Sequence, residues 1–192
     1  MKKKNNIEMR IAGFGGQGII LSGYIIGKAA AIYDNKFSTL IQSFGPEARG
    51  SACSAQVLIS EKQILYPYIH VPDVSVILSR EAYEKFEDEL IDGGTMLIEE
   101  DLVTLGKMKK KRKVYAIPAT RLAEEMGRKI VMNIITVGFF SAITEITSYE
   151  ATRKAVESSV PSGTEELNLK AFQTGYDYGI ELLKKSKKEK VK

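Results

Sequence analysis

One cysteine and one histidine, Cys53 and His70, are all that this 192-residue chain offers of the thiolate and imidazole ligands usual in zinc and iron–sulfur sites. An intramolecular disulfide is therefore excluded, and neither a zinc site nor an iron–sulfur cluster can be assembled from the usual ligands. His70, in Tyr68-Ile69-His70-Val71-Pro72, has no Ser or Cys partner marked by a motif. No nucleophile elbow, H-E-x-x-H or kinase signature occurs. No apolar run approaches the roughly 20 residues that cross a bilayer. The basic start, Met1 to Asn6, leads into a strand pattern without a signal-peptide core. A lone thiol suits a reducing compartment, so the expected location is the cytoplasm, with no membrane contact. These absences exclude a self-sufficient catalyst of the common kinds. No catalytic residue and no metal ligand is assigned.

The charge is less basic than it looks. Lys2 to Lys4 contribute +3 and the end from Lys184 to Lys192 contributes +5, so a net charge of +4 leaves the rest at −4. Six further cations fall between Lys107 and Lys113, which makes the remaining body acidic. Phosphate backbones want a contiguous basic face. Here the cations sit at the ends and in one apparent turn, where solvated charge explains them, so nucleic acid is not an expected partner. Hydrophobic content of 44% and charge of 27% fit a globular chain. The length suits one domain, taken as 1–185, with 186–192 expected as a disordered basic tail.

Ile7, Met9 and Ile11 alternate with polar residues, a strand pattern that ends in Gly13-Phe14-Gly15-Gly16-Gln17-Gly18. A helix follows to about Tyr33, with Ile20, Tyr24 and Ala31 on one side and a ladder of small residues at Gly23, Gly27 and Ala31. Segment 38–43 reads as a second strand. Segments 52–60 and 63–66 read as a hairpin about Glu61-Lys62, so the sheet is expected to be mixed. Segments 74–78, 95–98 and 114–117 are further strands; Ser79 is placed to cap an acidic helix. Thr120 is expected to cap a short helix closed by Gly127, and 129–146 is a long apolar helix. Thr147-Ser148-Tyr149-Glu150 fits a capping box, and Pro161-Ser162-Gly163 breaks the helix it opens. Leu169, Phe172, Tyr176 and Leu183 stripe the last helix. The pattern predicts a single three-layer α/β/α domain with a mixed, mostly parallel sheet and a helical C-terminal third.

Gly13, Gly15 and Gly18 match G-x-G-x-x-G between a strand and a helix. Such a turn lets a ligand approach the backbone, and the helix N-terminus attracts an anion. A dinucleotide site also wants an acid at the end of the second strand. Ser43-Phe44-Gly45 stands there instead, with Glu47 beyond a proline. No Gly-Lys-Ser/Thr follows, so a P-loop is excluded. The candidate binding residues are Gly13, Gly15, Gly16, Gln17 and Gly18, joined by Glu47 and Arg49, which Gly45-Pro46 and Gly50 hold in a defined loop. A tight turn with no ligand remains the alternative. Cys53, within a strand pattern, reads as an inert buried thiol.

The segment from Arg10 to Gly18 resembles the opening of the gamma subunit of 2-oxoacid:ferredoxin (acceptor) oxidoreductases. So does the loop Gly45-Pro46-Glu47-Ala48-Arg49-Gly50, with Tyr66-Pro67 and Pro72-Asp73. Ile117-Pro118-Ala119-Thr120, Asn133 with Gly138, and Leu167 to Phe172 with Gly175-Tyr176 are similar to the later blocks. The likeness covers roughly Met9 to Gly179, and Ala52-Cys53-Ser54-Ala55 resembles the 2-oxoglutarate branch. Ser51 departs from the pattern, which has a second glycine after the arginine. The resemblance implies a non-catalytic subunit beside alpha, beta and delta partners. Those partners hold thiamine diphosphate, magnesium and iron–sulfur clusters, and pass electrons to ferredoxin or a similar acceptor. It associates this domain with coenzyme A and with subunit contacts. A stand-alone NAD-dependent oxidoreductase and a purely structural assembly subunit are the alternatives.

Overall fold

The computed structural model describes residues 6–44, 52–107 and 110–189. Strand β1 (Asn6–Phe14) leads through the glycine turn into helix α1 (Ile19–Lys28), which runs on as a π-helical turn, Ala29–Tyr33. Strands β2 (Phe37–Ser43), β3 (Ala52–Ser60) and β4 (Val74–Ile77) follow, then helix α2 (Arg80–Phe86) with a 3-10 turn at Glu87–Glu89. Strands β5 (Thr95–Glu99) and β6 (Lys113–Ile117) complete the sheet. The remainder is helical: α3 (Ala119–Glu125), a 3-10 turn at Lys129–Val131, then α4 (Met132–Thr144), α5 (Tyr149–Glu157) and α6 (Glu165–Glu189).

The six strands lie in the order β2-β3-β1-β4-β5-β6. β1, β4, β5 and β6 pair in parallel, while β3 runs antiparallel to both β1 and β2. The sheet is mixed, as expected, but the expected hairpin is not its cause. Residues 63–66 form no strand, and β3 pairs instead with β1 (Ile11 opposite Ala55) and β2 (Leu40 opposite Val57). Alternation along β3 places Ala55, Val57 and Ile59 on the face toward α1.

Two cores sandwich the sheet. The larger joins Met9, Ile11, Val57 and Val76 to α1 and the C-terminal helices; the smaller packs Ala12, Ile77, Met96 and Ile98 against Tyr83 and Phe86 of α2. Helix α1 is turned differently from its expected stripe. Ile19, Ile25 and Ile26 are buried, whereas Tyr24 is 47% exposed. The small residues form the contact with the sheet: a Cβ on Gly23 would stand 2.9 Å from Ala55 Cβ, and one on Gly27 3.1 Å from Ser38 Oγ. The ladder thus serves close helix-on-sheet packing.

Helix α4 is buried from Met132 to Ala142, and residues such as Phe139 and Phe140 contribute about 1.5–3 kcal/mol each by leaving water. It meets α6 backbone to backbone. A Cβ on Gly138 would run into the Phe172 carbonyl, and one on Gly175 into the Ile135 carbonyl. Ser79 caps α2 by accepting from the Ala82 N–H at 3.2 Å. Thr120 does not cap α3: it lies inside that helix, and its N–H donates to Glu99 Oε1 at 3.1 Å. For α5 the cap falls at Ser148, which accepts from the Ala151 N–H at 3.1 Å, so Thr147 and Glu150 form no box. Helix α6 continues to Glu189, past the Ser186 where the disordered tail was expected to begin.

Candidate functional site

The C-terminal end of β1 is where parallel strands and helix N-termini converge, the usual crevice of an open α/β sheet. Gly16 (φ 101°) and Gly18 (φ 71°) both adopt left-handed backbone, which a side chain would strain. Gly18 is also the N-cap of α1, with no side-chain cap, and no acid occupies the first turn. Its positive end is therefore available to an anion. Around Gly16 nothing lies within 4 Å of where a Cβ would stand, so this point of the turn is open.

Gln17, grouped by sequence with the ligand-binding candidates, has an internal task. Its Oε1 accepts from the Phe14 N–H at 2.7 Å, and its Nε2 donates to the Leu78 carbonyl at 2.9 Å. The amide thus clamps the end of β1 to the residue following β4. Gly13 makes room for it, because a Cβ there would collide with Gln17 Oε1. Gly13 and Gln17 set the shape of the turn; Gly15, Gly16 and Gly18 line the space beside it.

That space is a cleft of about 1140 Å³. Its walls are mainly apolar, with Ile19, Ile134, Val160 and Leu167 among them, and Phe44 and Ile130 stand at its edge, 68% and 82% exposed. Cys53 lines it as well, and burial pushes the thiol up from its ordinary 9.0, away from the reactive thiolate. The polar lining comes from Arg128, Asn133, Thr164 and Asn168. Asn168 is committed, since its Nδ2 donates to Thr164 at the carbonyl (2.9 Å) and the hydroxyl (3.1 Å). Asn133 differs: it is 5% exposed, and among the described residues its amide makes no hydrogen bond. It lies over Gly18, where a Cβ would come within 2.5 Å of its Nδ2.

Glu47 and Arg49 lie outside the described residues. The described residues on either side, Phe44 and Cys53, both line the cleft. Asn133 and Arg128 are site residues that pattern reading missed. Asn133 stood in a block that resembles the family and opens an otherwise apolar helix, but neither signal marked it as a binding residue. The topology also bears on NAD. β2 is separated from β1 by antiparallel β3, so its end is not beside the glycine turn, where a ribose carboxylate belongs. Among the described residues no group of His, Cys, Asp and Glu is arranged to hold a metal, and no helix is long and apolar enough to cross a membrane.

Comparison with known proteins gives a consistent picture. The family model for pyruvate ferredoxin/flavodoxin oxidoreductase matches residues 8–178. A relative named 2-oxoglutarate synthase subunit KorC, from Methanocaldococcus jannaschii, is 49% identical over 177 residues, covering 91% of this chain and 95% of its own. The gamma subunit of keto/oxoacid ferredoxin oxidoreductase from Geobacter sulfurreducens superposes with a TM-score of 0.80 at 40% identity, over 91% of this chain and 98% of that one. A 2-oxoglutarate:ferredoxin oxidoreductase from Magnetococcus marinus, solved with 2-oxoglutarate, coenzyme A and succinyl-CoA, shares the fold at a TM-score of 0.83 and 24% identity; the match covers 92% of this chain and 31% of that longer one. With a family model matched along almost all of its length and relatives matched over nine-tenths of it, the chain belongs to the pyruvate ferredoxin/flavodoxin oxidoreductase family.

Proposed function

We propose that this chain is the non-catalytic gamma-type subunit of a thiamine diphosphate-dependent 2-oxoglutarate:ferredoxin oxidoreductase, working in the cytoplasm beside alpha, beta and delta partners. The naming of the 49%-identical relative as a 2-oxoglutarate synthase subunit supports the substrate. Thiamine diphosphate, magnesium and the clusters belong to the partners. The cleft beside the glycine turn receives coenzyme A.

The observation that carries this reading is a large apolar cleft opening on the uncapped N-terminus of α1. Its volume matches the upper end of cofactor pockets, about 300–1,000 Å³. An apolar wall with one anion-attracting point suits a cofactor that combines a long arm with phosphates. Gly15, Gly16 and Gly18 are the residues to approach the phosphates, with Glu47 and Arg49 on the adjoining loop. Coenzyme A supplies the thiol that takes the acyl group. This chain binds and orients it and keeps water from the apolar wall.

The test is Gly16→Val in the assembled complex, assayed by viologen reduction. Filling the open point of the turn is expected to raise the apparent KM for coenzyme A well above any change for the oxoacid. Unchanged coenzyme A kinetics in a stably assembled variant would favour the purely structural subunit. Micromolar NADH binding to the lone chain would instead favour the stand-alone oxidoreductase.

A further inference from the structure

A second, smaller pocket of about 210 Å³ lies across the glycine turn from the large cleft. Gly16, Ile130 and Asn133 are common to both, and Gln17, Thr120, Lys129 and Met132 belong to the smaller one alone. Helix α4, 13 residues long, begins there with no side-chain cap and no acid in its first turn. Its leading 3-10 turn uses the Val131 and Met132 N–H groups internally, at Arg128 and Lys129 carbonyls. The side chain that faces both spaces is Asn133, 5% exposed and making no hydrogen bond among the described residues.

Nothing in the packing requires Asn133 to be polar: its neighbours on α4, Met132, Ile134 and Ile135, are apolar and buried. Thr120 on the pocket wall repeats the pattern, its hydroxyl buried with no partner. The cation on its lining is Lys129, whose pair with Glu124 at 2.6 Å is a surface contact, 78% and 44% exposed, and is readily exchanged. The nearby Glu99 carboxylate is already satisfied by N–H donation from Leu102 (2.8 Å) and Thr120 (3.1 Å). An amide and a hydroxyl able to donate, a helix N-terminus and an exposed ammonium together favour an oxyanion.

We propose that this pocket is an oxyanion subsite for a single phosphate-sized group, with the Asn133 amide and the Lys129 ammonium as its donors. It adjoins the large cleft, and its donors do not depend on which cofactor that cleft takes. The group comes either from a phosphate of the cofactor reaching over Gly16 or from a free oxyanion in solution.

The experiment is a titration of the full, ¹⁵N-labelled chain with inorganic phosphate, followed by nuclear magnetic resonance. Saturable shifts are expected at the Asn133 side-chain NH₂ and at the Gly16 and Met132 amides. Lys129→Ala and Asn133→Leu are each expected to weaken binding about tenfold, the loss of one charge-assisted or buried hydrogen bond. Shifts confined to other lysines, or equal affinity in wild type and both variants, would overturn the proposal. Should Asn133→Leu not fold, the wild-type map and Lys129→Ala decide alone. Repeating the titration with saturating coenzyme A separates the sources: displacement identifies a cofactor phosphate, and simultaneous binding a free oxyanion. If phosphate binds and coenzyme A does not, the cofactor reading fails while the subsite stands.

Discussion

Removing the Gln17 amide tests whether it is a clamp or a ligand contact. Gln17→Ala leaves the Phe14 N–H and the Leu78 carbonyl without their partners at 2.7 and 2.9 Å. Both bonds are partly buried, so at a net 0.5–1.5 kcal/mol per bond the loss is about 1–3 kcal/mol. For a chain of this size that lowers Tm by about 2–12 °C. Gly13→Ala reaches the same bonds from the other side. Its new Cβ collides with Gln17 Oε1, while its other close neighbours, Ile19 Cδ1 at 2.9 Å and Leu78 Cβ at 3.1 Å, yield more easily or are less tight. Each single variant therefore breaks one and the same clamp. The double variant should cost about 1–2 kcal/mol less than the sum of the two, a coupling typical of groups in direct contact. Thermal and urea unfolding of the four proteins measure it. Additivity to within about 0.5 kcal/mol would refute the clamp, because the two changes would then act independently. A Gln17→Ala chain of unaltered Tm with a raised coenzyme A KM would make the amide a ligand contact.

Gly175→Ala, whose Cβ meets the Ile135 carbonyl, should destabilise the chain by about 1–3 kcal/mol or more; Gly106→Ala, with only Tyr83 Oη at 4.0 Å, should be near neutral in the same melt. Cys53 should alkylate more slowly than a free thiol at neutral pH, with a rate that keeps climbing beyond pH 9.0, since burial raises its pKa; rapid modification at pH 7 in the folded chain would contradict that. Burial likewise raises Tyr83, Tyr149 and Tyr178 above 10.0, so their contribution to stability is full below that pH and is lost as pH climbs through the folded-state values. A melt series across pH 8 to 11.5 should fall at its alkaline end. Arg49→Ala is expected to cost about 2 kcal/mol in assembly or coenzyme A use while the lone chain's Tm holds, read by gel filtration beside the melt.

What was legible in the sequence was mostly local. The glycine turn, the Ser79 cap and the Pro161–Gly163 break depend on a few neighbouring residues, and they stand where the pattern put them. Sheet pairing is long-range, and there the pattern failed. Residues 63–66 look extended, yet β3 found its partner in β1, 44 residues earlier where Ala55 lies opposite Ile11. The stripe on α1 misled for a related reason: glycines carry no hydrophobic signal, yet Gly23 and Gly27 are the surface that touches the sheet. Asn133 becomes a site residue only when folding lays it over Gly18, a juxtaposition that no window of sequence contains. Gln17 was placed in the right turn, but its two internal bonds depend on Leu78.

The contact between α4 and α6 has a mechanical consequence. Packed helices usually slide past each other by letting side chains hop between rotamers, which absorbs a small shear. Here the backbones touch at Gly138 and Gly175, with no side chain between them to give way. The joint behaves like a key in its slot: neither helix can turn or slip without lifting off the other. Asn133, which lines the cleft, sits at the start of α4, and the two helices should exchange their amide protons as one unit.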